Sequence, residues 1–231
     1  MTALKNTAQG GDALALLRSM PDYCAPLVFF DPQHRTVLDK LSYGNEGLER
    51  QKARAALPAM SSDYIDACCR ESMRVLQPSG YLMRWIDAFG LCTSQHLRIV
   101  NETCQCVDLI AWDNLRQGMG YRSRRRGDYL LILQKPPIKA KSTWRDHGIP
   151  DRWPEKVGRR IHPHVKPMCL TTRLIGAVTQ PSDLVVDPAA GSFTVMRAAN
   201  ALGRDFVGCD IAFDDSSYGE VREPDHFRRC A

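Results

Sequence analysis

The chain has 231 residues, 44% of them hydrophobic and 25% charged. That excludes an intrinsically disordered chain and suits one α/β domain with a modest insertion. No run of 18 apolar residues occurs, which excludes a membrane-spanning helix, and the first 20 residues carry no compact signal-peptide pattern. The formal net charge is +5 and unevenly placed: residues 116–160 hold 13 Lys and Arg against 4 Asp and Glu. A concentrated positive stretch suits a polyanionic partner, because binding gains from neutralised phosphates. The nine cysteines include no C-x-x-C pair. They read as free thiols in a reducing cytosol, with no metal site expected.

In chain order, a short helix is predicted over 13–20, after Gly10-Gly11-Asp12. Leu27 to Phe30 is a continuous apolar run between Pro26 and Asp31-Pro32, the pattern of a central strand buried on both faces. Residues 31–60 read as a long loop with one short helix. Ser61 or Ser62 caps a helix reaching Leu76, with Ile65, Cys68 or Cys69, Met73 and Leu76 at helical spacing. Pro78-Ser79-Gly80 ends it, and Tyr81 to Ile86 is the next strand. Further strands are expected over 97–100, 106–112 and 129–133. Residues 138–167 hold little regular structure. Then come a helix over 168–179, a strand over 184–186, a helix over 193–201 and a strand over 206–209. Strands alternating with helices at this spacing predict a doubly wound, mostly parallel sheet.

Two segments carry chemistry. The strand ending in Asp187 runs through Pro188-Ala189-Ala190-Gly191 into a helix, and the following strand ends in Asp210. This is half of a nucleotide-binding unit: Gly191 lets backbone approach a ligand, and Asp210 can accept hydrogen bonds from ribose hydroxyls. Neither G-x-G-x-x-G nor G-K-[ST] occurs, so a nucleoside without a pyrophosphate fits better than NAD or ATP. The second segment is Asp31-Pro32-Gln33-His34, directly after a buried strand. The Asp31 carboxylate and Pro32 carbonyl are acceptors at a strand's carboxyl end, able to hold an amino group, and a flat neighbour can stack on a base. An enzyme reaching such an amino group in a duplex must extrude the base.

Taken together, these segments resemble the DNA amino-methyltransferases that act on adenine N6 or cytosine N4. Asp31-Pro32-Gln33-His34 is similar to their [D/N/S]-P-P-[Y/F/W] motif, and Asp187-Pro188-Ala189-Ala190-Gly191-Ser192 to D-P-F-x-G-S-G-T. His162-Pro163-His164-Val165-Lys166-Pro167 is similar to H-P-T-Q-K-P. The catalytic motif comes first and the cofactor motif last, the order of the circularly permuted β group. Gly11-Asp12-Ala13-Leu14 then resembles the piece after the third cofactor strand. The resemblance implies a single Rossmann-like S-adenosylmethionine-dependent methyltransferase domain over 1–231, with a basic loop and target-recognition insert near 114–160.

It further implies catalytic roles for Asp31, Pro32, Gln33 and His34. Cofactor contacts are implied for Gly11, Asp12, Phe30, Asp31, His162, Lys166, Pro167, Asp187, Pro188, Ala189, Gly191, Ser192, Phe193 and Asp210. Lys166 is expected near the cofactor's amino-acid end. Ile110 to Arg126 is similar to the family stretch leading into target recognition, and Tyr43, Arg122, Arg124, Arg125, Arg126, Trp144 and Arg145 are expected on DNA. The implied partner is double-stranded DNA, with a homodimer allowed and no membrane, in the cytoplasm. Gln33, His34 and Phe193 depart from the family pattern. Amino-group transfer to RNA, and a DNA-binding homologue without activity, stay open as alternatives.

Overall fold

A computed structural model describes residues 6–33, 59–100, 102–118, 122–157 and 165–213. Eight strands form one sheet: β1 (Thr7–Gly10), β2 (Ala25–Phe30), β3 (Leu76–Ile86), β4 (Gln105–Asp113), β5 (Tyr129–Gln134), β6 (Arg152–Pro154), β7 (Leu184–Asp187) and β8 (Asp205–Asp210). Their spatial order is β1-β8-β7-β2-β3-β5-β4-β6. The first five in that order are parallel, β5 runs antiparallel to both β3 and β4, and β6 is parallel to β4. This is the mostly parallel, permuted sheet that the sequence leads one to expect.

Five helices flank it: α1 (Ala13–Ser19), α2 (Ser62–Val75), α3 (Ala88–Cys92), α4 (Met168–Val178) and α5 (Thr194–Ala201). The apolar run of β2 divides its side chains between the two faces. Val28 and Phe30 pack with Leu16 and Leu17 of α1 and Ile65 and Met73 of α2. Leu27 and Phe29 pack with Leu170 and Leu174 of α4 and Ala198 of α5. Burial on both faces is why this strand shows no alternation. Caps follow the expected chemistry. Asp12 accepts from Ala15 N at 2.8 Å to start α1, and Ser61 accepts from Tyr64 N at 3.2 Å to start α2.

Three features differ from the sequence expectation. Leu76 already belongs to β3, because it pairs with Ala25 before a bulge carries the register to Leu27↔Tyr81. The strand expected at 97–100 is instead a 3₁₀ turn over Gln95–Arg98 with one isolated bridge, Val100↔Cys104. Ile99 and Val100 are buried, so their apolarity serves packing and not strand pairing. Strand β1 has no strong sequence signal: its residues are small and polar, and it forms by adding to the edge of β8, with Thr7 opposite Val207.

Seven cysteines (24, 68, 69, 92, 104, 106 and 209) are free thiols, but Cys169 is disulfide-bonded, which corrects the all-thiol expectation there. Among the described residues, no helix is long and apolar enough to cross a membrane, and no group of three metal-ligating side chains is present.

Helix α4 begins without a side-chain cap of its own, since its N-cap residue is Pro167. Glu155 supplies the missing acceptors: its carboxylate takes Cys169 N at 2.9 Å, Leu170 N at 3.0 Å and Trp153 Nε1 at 2.7 Å. A charged acceptor at a helix N-terminus also meets the favourable end of the helix dipole. Glu155→Ala is expected to cost about 1–3 kcal/mol. Urea unfolding would show this, and an unchanged midpoint would remove Glu155 as the cap.

Candidate active site

Strands β1, β8, β7 and β2 are neighbours and parallel, so their carboxyl ends lie along one edge. The register pairs Gly10 with Asp210, Asp187 with Gly208, and Val28 with Val186. The chain leaving β7 enters α5 on one face of the sheet, while the helix after β2, α2, lies on the other. Adjacent strands whose connections leave to opposite faces open a crevice between them, the usual ligand site of such sheets.

A cavity of about 380 Å³ occupies that crevice. Of the residues expected at the site, Gly11, Asp12, Asp31, Gln33, Lys166, Asp187, Pro188, Ala189, Gly191, Ser192 and Asp210 line it. Phe30, Pro32, Pro167 and Phe193 do not. Phe30 is fully buried in the α1–α2 core. His34, Tyr43 and His162 lie outside the described residues.

The turn after β7 is tied down by successive backbone donors. Ala189 N reaches Asp187 Oδ1 at 3.2 Å, Ala190 N reaches Cys209 O at 2.9 Å, and Gly191 N reaches Asp210 Oδ2 at 3.0 Å. Gly191 takes φ 49°, a conformation natural to glycine. Asp210 also accepts from Ala212 N at 2.8 Å, yet each of its oxygens keeps acceptor capacity. Asp187 is only 4% exposed and sits between two other carboxylates. Burial, reinforced by Asp31 and Asp210 and opposed by the Ala189 N–H, pushes its carboxyl up to about 8. An acidic cavity with an under-compensated buried carboxylate favours a cationic ligand.

Phe193 shows why the second glycine of the family pattern is missed at little cost. It adopts the left-handed conformation, φ 53° and ψ 34°, where glycine would be easiest. Its ring points into the core instead of the cavity, edge-on to Phe206 at 6.4 Å and Phe213 at 5.4 Å between centroids. The cofactor contact expected of it is therefore replaced by packing. Left-handed backbone costs about 1–2 kcal/mol, while emptying a buried phenyl site costs about 3–5 kcal/mol. Packing wins, so Phe193→Gly is expected to lower stability by about 2–3 kcal/mol. A rise in the urea midpoint would instead mean that strain dominates.

At the β2 end of the cavity, Lys166 Nζ lies 3.2 Å from Asp31 Oδ2 and 3.3 Å from Asp128 Oδ2. It also sits over the Trp85 ring, 4.7 Å from the centroid. Burial alone would lower the Lys166 pKa, but Asp31 and Asp128 outweigh it and hold the ammonium firmly charged.

Three contributors had no clear sequence signal. Tyr64, in the first turn of α2, donates to Asp12 and accepts from Leu14 N, stitching α2 to the start of α1 at the cavity wall. Trp85 sits within an apolar strand, where an aromatic is unremarkable. Asp128 is a lone acid after an arginine run, and only the sheet brings it to Lys166.

The expected DNA contacts divide. Arg122 and Arg124 are exposed in the β4–β5 connection. Arg125 pairs with Asp87 at 3.3 Å and covers Phe89, and Arg126 grips Asp113 through two nitrogens at 3.0 and 2.8 Å. Trp144 and Arg145 are elsewhere. Trp144 packs edge-on to Tyr81, at the amino end of the main run of β3, and Arg145 donates to the Thr179 carbonyl after α4. That is the opposite end of the sheet from the cavity, so these two are structural, their aromatic and basic character being spent on packing and on closing a helix end.

Known proteins share this geometry. Residues 59–214 match the family model described as DNA methylase. Type II methyltransferase M.HhaII of Haemophilus parahaemolyticus is 46% identical over 212 residues, spanning 91% of this chain and 92% of that one. Among solved structures, the PvuII cytosine-N4-specific DNA methyltransferase superposes with a TM-score of 0.66 at 18% identity, covering 89% of this chain and 81% of that one. TTHA0409, a DNA modification methylase of Thermus thermophilus solved with S-adenosyl-L-methionine, gives 0.63 at 22% identity, covering 96% and 93%. With its permuted sheet and the cavity between β7 and β2, the chain belongs to the DNA methylase family of N6- and N4-amino methyltransferases.

Proposed function

We propose that the protein transfers a methyl group from S-adenosylmethionine to the exocyclic amino group of a base in double-stranded DNA, adenine N6 in preference to cytosine N4. The observation that carries this reading is the meeting of Asp31, Asp187 and Asp210 in one cavity at the carboxyl edge. The residues present suit such a cofactor: the cavity has room for a nucleoside ligand and its carboxylates suit a cation. S-adenosylmethionine supplies a methyl carbon on positively charged sulfur, whose bonding pair returns to sulfur as the new N–C bond forms.

The chain's own groups do the rest. Asp210 takes ribose hydroxyls, and Asp187 takes the positive charge of the methionine portion. Asp31, with the Pro32 carbonyl, accepts the amino hydrogens of the flipped base and aims the nitrogen lone pair at the methyl carbon. These acceptors stabilise the positive charge that develops on nitrogen. The surplus proton then passes by way of Asp31 to water. Gln33 lies at the cavity, and His34 supplies the flat stacking surface that the family places there. Arg122 and Arg124, with the surrounding 114–160 stretch and Tyr43, meet the phosphates and the recognition sequence. The preference for adenine rests on the aspartate that leads the catalytic motif.

The test is incubation of unmodified DNA, and separately RNA, with labelled cofactor, followed by nucleoside analysis. Labelled N6-methyladenosine from DNA is expected. N4-methylcytosine would reassign the base, label in RNA alone would reassign the polymer, and no label in either would sink the enzyme reading.

A further inference from the structure

Three elements converge on Lys166. Asp31 leaves β2, Asp128 enters β5, and Lys166 itself leads into α4. The ammonium is 14% exposed, with a carboxylate oxygen at 3.2 Å on one side, another at 3.3 Å on the other, and the Trp85 face beneath it. Under the reading above, Asp31 must give its acceptor capacity to an incoming amino group, yet Lys166 already draws on the same Oδ2. An ammonium this buried cannot leave one anion unless another holds it. Asp128 meets that need without any large movement, because it is already in hydrogen-bond range of Lys166.

Asp128 is also firmly placed. Its carbonyl accepts from Trp112 N at 2.9 Å. A side chain on the preceding Gly127 would lie 1.7 Å from the Trp112 carbonyl oxygen, so the backbone passes there only as glycine. Arg126, one residue earlier, is clamped to Asp113. The carboxylate is therefore fixed to the root of the basic loop.

We propose that Asp128 is a positioning residue for methyl transfer: it retains the Lys166 ammonium when the base's amino group engages Asp31, so that Asp31 serves the base and not the lysine. This rests on the assignment of Asp31 as the catalytic carboxylate. Lys166 is thus a movable counter-charge whose second anchor belongs to the DNA-facing loop.

Asp128→Asn keeps the shape and removes the charge. It is expected to lower kcat about ten- to a hundredfold, while the Kd for S-adenosylmethionine changes less than about twofold. Asp128→Glu should recover part of the loss. In a Lys166→Met background, Asp128→Asn should add less than about a twofold further loss, because its route of action is gone.

A second measurement needs neither cofactor nor DNA. NMR titration of ε-labelled lysine should show the Lys166 midpoint falling in Asp128→Asn, since burial is then opposed by one carboxylate instead of two. An unchanged midpoint, or the same fold-loss with and without Lys166, overturns the proposal. If Asp31→Ala abolishes turnover while Asp128→Asn and Lys166→Met act additively, this inference falls alone. If Asp31→Ala keeps turnover, the catalytic reading falls and takes this inference with it.

Discussion

Asp31→Ala is expected to lower kcat by about a hundred- to a thousandfold while leaving S-adenosylmethionine binding within about twofold of the parent. The carboxylate is the acceptor that would orient the target nitrogen, so its loss removes both alignment and charge stabilisation. The fold should survive, because Lys166 keeps Asp128 at 3.3 Å and the Trp85 face. Thermal unfolding checks that survival, and single-turnover methylation checks the chemistry. Near-normal turnover from a folded Asp31→Ala protein would move the catalytic assignment elsewhere. Asp31→Asn, which keeps one acceptor oxygen but loses the charge, should fall between the two.

Asp187→Asn is expected to act in opposite directions on stability and on cofactor binding. The folded protein holds the Asp187 proton to about pH 8, because the group is buried beside other carboxylates. An unfolded chain releases that proton near pH 4. Between these values the native state binds more protons than the unfolded state, so raising the pH removes stability, by up to about 1.4 kcal/mol per unit. Asparagine carries no such penalty. The Tm advantage of Asp187→Asn over the parent should therefore widen from pH 5 to pH 8 in cofactor-free protein.

Binding runs the other way. A cationic cofactor favours the ionised carboxylate, so at pH 7 the parent should release close to one proton on binding. Losing a charge-assisted contact worth about 1.5–3 kcal/mol should weaken Kd about ten- to a hundredfold. Calorimetry in buffers of different ionisation enthalpy reads both quantities. Equal affinity and equal proton release in the two proteins would remove Asp187 from the cofactor site.

The parts of this fold legible in the sequence are those governed by local chemistry. The apolar run of β2, the Asp12 and Ser61 caps and the turn after β7 each announce themselves over a few residues. Asp31, Asp187 and Asp210 could be named because each ends a strand whose apolar residues are contiguous. What stayed hidden depends on distant partners. Strand β1 becomes a strand only beside β8, and Tyr64 is a site residue only because α2 lies against α1. Asp128 matters because β5 runs antiparallel to β3 and begins near the carboxyl end of β2. Trp144 and Arg145 misled for the same reason: aromatic and basic residues close in sequence to an arginine cluster look like a nucleic-acid face, but Tyr81 and Thr179 claim them. Arg125 and Arg126 likewise pair with carboxylates that no local pattern points to.

The edge pairing of Thr7 with Val207 carries a consequence for synthesis. About two hundred residues separate these partners, and a contact that distant pays its loop-closure entropy late. Strands β2 to β5 and their helices can assemble as the chain emerges, since their pairings are closer in sequence. The pocket walls contributed by Gly11, Asp12, Asp187 and Asp210 cannot meet until β8 has left the ribosome. A nascent chain halted before that strand would hold the methyl-accepting half of the active site and no seat for the methyl donor.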